Sequence, residues 1–227
     1  MNRTAAKKIR PGNRRRRLVR VCGWLAAGVL FGSVIQAADL PLVNIFARPP
    51  VLPAELRRVA ILPLAAEGRD ADLSDGCEAL QPVLFDELVR TEKFEVVSVR
   101  PENLRASSGR SAWTGAEQLP EGFFDSLRRE YGCDAVLFCE LTVYHAYAPL
   151  AIGWRLKLAD VRTRKIIWAA DEVFDAGRPA VSRKARLFMA NRDKAAAQDE
   201  IRWRLASSPR QFGSYTAAEL LSHLPAR

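Results

Sequence analysis

Residues 152–174, IGWRLKLADVRTRKIIWAADEVF, limit the possible folds more than any other stretch of this chain. Two apolar runs flank a polar corner, and a pair of strands with that pattern has to bury at least one face. In the first run, Ile152, Trp154, Leu156 and Leu158 share one side, and Gly153, Arg155, Lys157 and Ala159 share the other. In the second, Ile166, Trp168 and Ala170 alternate with Ile167, Ala169 and Asp171. Both parities are apolar there, so that strand is expected to be covered on both sides. The stretch therefore reads as strands 152–159 and 165–174 of an antiparallel meander, with both tryptophans in a core. Asp160 and Thr163 in the corner are turn chemistry, because their side-chain oxygens can accept from nearby backbone N–H groups.

The segments before this hairpin alternate in type. RRVAILPLA, 57–65, is a buried strand ended by Pro63 and Gly68. Residues 70–90 are helical in pattern, with Leu80, Leu84 and Leu88 on one face and Asp72, Ser74 or Asp75 as the cap. FEVVSV, 94–99, is a second strand. Residues 102–120 form a polar loop around a short helix. Residues 121–131 form another helix, stopped at Gly132 in the left-handed position that glycine favours. Residues 134–147 are a long strand. This order predicts an α+β (α/β) fold: a mixed β-sheet with an antiparallel C-terminal meander, helices packed mainly on one face, and further C-terminal helices. In that last part, 181–207 reads as one long amphipathic helix, with Ala185, Phe188, Met189, Ile201 and Leu205 along its stripe. SPRQFGSY then reads as a break, and Thr216 to Glu219 as a capping box that opens a final helix through Leu224.

Charge divides the chain differently. Of its formal +9, nine Lys or Arg lie in residues 1–37 with no acid, so the remainder holds 26 basic against 26 acidic residues. A polyanion such as nucleic acid finds no large net field on that remainder. The basic stretch ends at Arg20, an apolar run follows from Val21 to Ile35, and small residues stand at Ala37 and Ala38. This is the order of a secretory signal peptide, and the run is shorter than the roughly 20 residues of a membrane-spanning helix. The expectation is cleavage near Ala37 or Ala38, with an uncleaved membrane anchor as the alternative. RRRLVR leaves the twin-arginine route open beside the general one. Cys22 stands at the start of the apolar run, where a lipid-attachment cysteine would not be. The organisation expected is therefore 1–38 signal peptide or anchor, 39–56 extended segment with four prolines, 57–177 α/β domain, and 178–227 helical extension.

The chemistry legible in the chain is sparse. There is no GxGxxG after a strand, no phosphate loop, no GxSxG and no HExxH, and no Cys/His cluster of zinc spacing. No catalytic, cofactor-binding or metal-binding residue is assigned. His145 and His223 read as half-exposed structural residues, and Glu140 as a carboxylate on a solvated side of the sheet. Export would leave Cys77, Cys133 and Cys139. Cys139 reads as a small buried hydrophobe, and a Cys77–Cys133 bridge is possible. One alternative stands against a non-enzymatic reading: an enzyme or small-ligand binder with an unfamiliar site near Cys77, Glu140 and His145.

Four motifs carry a resemblance: Val59 to Pro63, Lys93 to Val97, Gly132 to Val136, and the corner from Asp160 to Trp168. In this pattern residues 50–175 resemble a group of bacterial envelope proteins. The group includes the curli secretion channel subunit, lipoprotein activators of penicillin-binding proteins and the amino-terminal domain of TolB. The resemblance implies an exported, non-enzymatic protein of the periplasm or outer membrane of a Gram-negative-type bacterium, without a cofactor. It also implies an envelope-protein partner or a homo-oligomer. Membrane association would run through the N-terminal segment. One position departs from the pattern: Arg164 stands where the corner usually has glycine. A left-handed backbone there would cost arginine about 1 kcal/mol.

Overall fold

Three consecutive positions, Val59, Ala60 and Ile61, are fully buried, which requires a strand covered on both faces. The computed structural model describes residues 44–66, 68, 70–194 and 196–227. The leader, with its expected cleavage site or anchor, and residues 39–43 lie outside these. The described residues form strands β1 (Ile45–Ala47), β2 (Arg58–Ile61), β3 (Ala65–Ala66), β4 (Glu95–Ser98), β5 (Ala135–His145), β6 (Ala151–Asp160) and β7 (Ile166–Asp175). The helices are α1 (Ala71–Val89), α2 (Pro101–Ser108), α3 (Phe123–Tyr131), α4 (Pro179–Arg192), α5 (Gln198–Ser207) and α6 (Pro209–Leu221). The strands make one mixed sheet in the order β1-β7-β6-β5-β2-β4, with β3 beside β5. β2 runs parallel to both β4 and β5, and β5, β6 and β7 form the antiparallel meander.

The sheet separates two cores. On one face α1, α4, α5 and α6 pack against Ile61, Leu137, Trp154, Leu156 and Trp168. On the other, the shorter α2 and α3 bring Leu104, Phe123 and Leu127 onto Ala60, Val136 and Phe138. The α+β expectation with most helices on one face holds. Trp154 and Trp168 are fully buried, as the alternation required. α1 lies so close to β5 that a Cβ on Gly76 would stand 2.6 Å from Tyr144 Cγ. Its cap is Asp70, whose side chain accepts from Asp72 N at 2.9 Å, and not Asp72, Ser74 or Asp75.

Three other expectations are corrected. The first concerns β7. Ile166 pairs with Ala159 and Trp168 with Leu158, so Ile167 is an extra residue in a bulge. The bulge breaks the parity: Ile166 is exposed, while Ile167 joins Trp168 in the core. Nor is β7 covered on both sides, since Ala169 and Asp171 are half-buried and Val173 is 41% exposed. The second concerns 181–207, which is two helices. α4 stops at Asp193, an acid at the negative end of the helix dipole, whose carboxylate accepts from Arg204 Nη1 of α5 at 3.0 Å. The third concerns the tail. SPRQFGSY is helical, because Ser208 caps α6 and Pro209 takes the first helical position, where its missing N–H costs nothing. Thr216 lies buried within α6 and opens no helix.

Candidate functional site

The chain leaves β2 through α1 on one face and leaves β4 through α2 and α3 on the other, yet β4 and β5 both flank β2. Connections that part to opposite faces open a crevice at the carboxyl ends of parallel strands, the usual ligand position in open α/β sheets. A cleft of about 600 Å³ lies there. Ala65 and Ala66 come from β3, Ser74 and Cys77 from α1, Glu140 from β5, and Arg110, Thr114 and Glu117 from the loop between α2 and α3.

Glu140 does not face solvent as expected, being only 7% exposed. It stands directly across from Arg155 of β6, whose Nη1 donates to Glu140 Oε2 at 3.3 Å. Arg155 Nε donates in turn to Asp171 Oδ2 on β7 at 2.7 Å. A carboxylate, a guanidinium and a carboxylate thus line up across three strands on the face opposite α1. On the loop side, Arg110 Nη1 donates to Glu117 Oε1 at 2.6 Å, and its guanidinium lies 4.7 Å above the Trp113 ring. Glu117 Oε2 accepts from Thr114 N at 2.8 Å. Burial alone would raise the Glu117 pKa, but the Thr114 and Arg110 hydrogen bonds outweigh it and hold the carboxyl below its usual range. The polar loop is therefore an ordered wall.

Of the three residues in the alternative reading, the cleft gathers Cys77 and Glu140. His145 is exposed at the end of β5 and does not line it. Burial pushes the Cys77 thiol up to about 11, so it is a neutral thiol near pH 7 and not a thiolate nucleophile. Both cleft carboxylates are already engaged by arginines. Among the described residues, no group of three His, Cys, Asp or Glu is gathered as metal ligands. The sequence did not single out Arg110 or Glu117, and placed Arg155 only on the side of its strand opposite Trp154. Only the Glu140–Arg155 pair left a signal, the opposite charges that correct β5–β6 register places face to face.

The Cys77–Cys133 bridge is overturned, since all three described cysteines are free. Cys77 packs on the core under α1 and Cys133 lies in the core under α3, with the sheet between them. The motifs themselves are structural. Asp134 Oδ2 accepts from Arg57 N at 2.9 Å and Arg58 N at 3.1 Å, pinning the start of β2 to the start of β5. In the corner, Asp160 Oδ1 accepts from Arg162 N at 2.9 Å and Thr163 N at 2.7 Å. Arg164 does adopt the left-handed backbone, with φ of 58°.

No family model matches this chain, and no curated protein matches it. Solved structures do. It is similar to PelC, a dodecamer from Paraburkholderia phytofirmans, at 14% identity over 81% of this chain and 97% of that one, with a TM-score of 0.46. It is similar to the lipoprotein GNA1162 of Neisseria meningitidis at 17% identity over 61% and 96% of the two chains, with a TM-score of 0.41. TolB of Acinetobacter baumannii shares 14% identity over 57% of this chain and 25% of its own, with a TM-score of 0.29. TolB is one of the proteins named above from the motifs.

Proposed function

We propose that this is an exported, non-enzymatic protein of the bacterial cell envelope that works by holding another envelope protein or further copies of itself. The reading is supported by the signal-peptide order of residues 1–38 and by a cleft whose charged groups are engaged with one another. One observation carries it. At the β1 edge the sheet face opposite α1 exposes Phe46 at 44% and Val173 at 41%, beside a groove of about 370 Å³ lined by Arg155, Lys157 and Asp171. β1 is the last strand on that side among the described residues, so its outer backbone groups form an edge that can pair. Photo-crosslinking residues placed at Phe46 and Val173 in full-length chain, expressed in a Gram-negative host, should trap a discrete envelope partner or a dimer. The same residue at Glu102 on α2 should trap nothing. Retention of the protein in the cytosol, or equal crosslinking at all three positions, would refute the reading.

A second reading rests on the cleft, whose place and volume suit a small ligand. Ala66→Trp would fill it. A small molecule that copurifies with the wild type and is absent from this variant, by native mass spectrometry, would favour that reading.

A further inference from the structure

Although residues 39–227 balance in charge, the charge is not evenly spread. Residues 178–210, which span α4 and α5, hold nine Lys or Arg against three acids, a net +6. The rest of 39–227 carries 17 basic against 23 acidic residues, a net −6. Some of the cations on these helices are turned inward or paired: Arg192 binds Glu87, Lys184 binds Glu219, and Arg204 binds Asp193 and Glu200. Arg183 and Arg186 make no ion pair among the described residues. Arg183 and Leu187 are one turn apart on the outer side of α4, and both are exposed.

These helices also carry the two large apolar side chains that are hardest to explain on a free surface, Leu187 at 60% exposed and Trp203 at 70%. The core needs neither, since α4 buries Ala185 and Met189 and α5 buries Ile201 and Leu205. An exposed arginine one turn from an outward leucine on α4, with an outward tryptophan on α5, matches an anionic membrane surface. The cations meet lipid phosphates while the indole and the leucine enter the headgroup boundary. An acidic protein surface could also take arginines and an indole, and it is separated from lipid by whether vesicles alone are bound.

We infer that α4 and α5 form a membrane-docking face for anionic phospholipid, separate from the N-terminal segment. The test uses full-length chain, so that the leader contributes equally throughout, and mixed phosphatidylglycerol–phosphatidylcholine vesicles with brominated acyl chains. Trp203 is isolated by subtracting the emission of Trp203→Phe from that of the wild type. Its emission should be quenched on anionic vesicles, with much less quenching on phosphatidylcholine alone and in high salt. Arg183→Gln with Arg186→Gln should weaken this quenching about 30-fold in lipid concentration, from about 1 kcal/mol for each arginine at an anionic surface. Arg183 and Trp203 are exposed and Arg186 is half-buried, and unchanged thermal melts will show that the fold is intact. Vesicle binding that leaves Trp203 unquenched would overturn the inference. So would equal quenching on both lipids, or a double glutamine variant that behaves as the wild type.

Discussion

The sharpest consequence of the core is for Thr216. Trp154 is fully buried, and its Nε1 donates to Thr216 Oγ1 at 2.9 Å; that hydroxyl donates onward to Gly213 O at 3.1 Å. Thr216 is itself fully buried. Thr216→Val keeps the volume and leaves the indole N–H with no acceptor. An orphaned buried donor costs about 1–3 kcal/mol. Thr216→Ser keeps the hydroxyl and loses one methyl group, about 0.8 kcal/mol of burial with a small cavity added. For a body of this size 1 kcal/mol moves Tm by about 2–4 °C. A penalty near 2 kcal/mol therefore lowers the Tm of the valine variant by about 4–8 °C, and the serine variant should fall by about half as much. Urea titration and thermal melts followed by circular dichroism measure both. In a Trp154→Phe background, which has no donor to orphan, the valine penalty should shrink by about 1–2 kcal/mol. A valine variant more stable than the serine variant, or a penalty unchanged in that background, would refute the reasoning.

Three further outcomes are expected. Glu87 joins α1 to α4 and α6, accepting from Arg192 at 2.6 and 2.7 Å and from Ser214 at 2.6 Å. Burial alone would raise its pKa, but the hydrogen bonds of Arg192 and Ser214 outweigh it and hold the carboxyl below its usual range. Its contribution is thus complete above the unfolded-state glutamate value and lost as pH falls through the lower folded-state value. Glu87→Gln should cost about 2–3 kcal/mol at neutral pH, and in urea titrations across pH the gap to wild type should close in acid. Arg164→Gly should stabilise by about 0.5–1 kcal/mol in the same assay, since it removes left-handed strain and gives up only an exposed pair with Asp125. Burial holds the Cys77 and Cys133 thiols at about 11, so maleimide labelling mapped by peptide should be about two orders of magnitude slower in native than in urea-unfolded protein at pH 8.

The parts of the fold legible in the sequence were those written in local periodicity. The alternation of Ile152, Trp154, Leu156 and Leu158 placed β6, the leucine spacing placed α1, and Gly132 marked the end of α3. What failed depended on partners distant in the chain. The bulge at Ile167 is a property of pairing with β6 and leaves no trace in β7 alone. Pro209 read as a breaker because a proline starts one helix as readily as it ends another, and only Ser208 behind it distinguishes the two. Thr216 resembled a cap because its spacing to Glu219 fits one, while its real partner is an indole 62 residues away. The cleft was half legible. Glu140 stood out as a charge in an apolar run and Cys77 as one of three cysteines, but Arg110 and Glu117 belong to a loop whose order comes from stacking on Trp113.

Residues near the start of the described body are fastened by residues near its end. β1 has no strand to join until β7 is made, and Leu52 N donates to Ala226 O at 2.8 Å. Arg227 reaches back to the carbonyl of Leu56, 171 positions earlier, and Lys93 Nζ clasps the carbonyls of Leu224 and Pro225. A chain delivered amino end first cannot complete this belt until residues 224–227 have arrived. The closing contacts span a loop of 171 residues and form late, because loop entropy has to be overcome before they return anything. The strip from Ile45 to Leu56 is thus the part of the domain that waits longest for its place, and the face opened at that edge is the last surface to be completed.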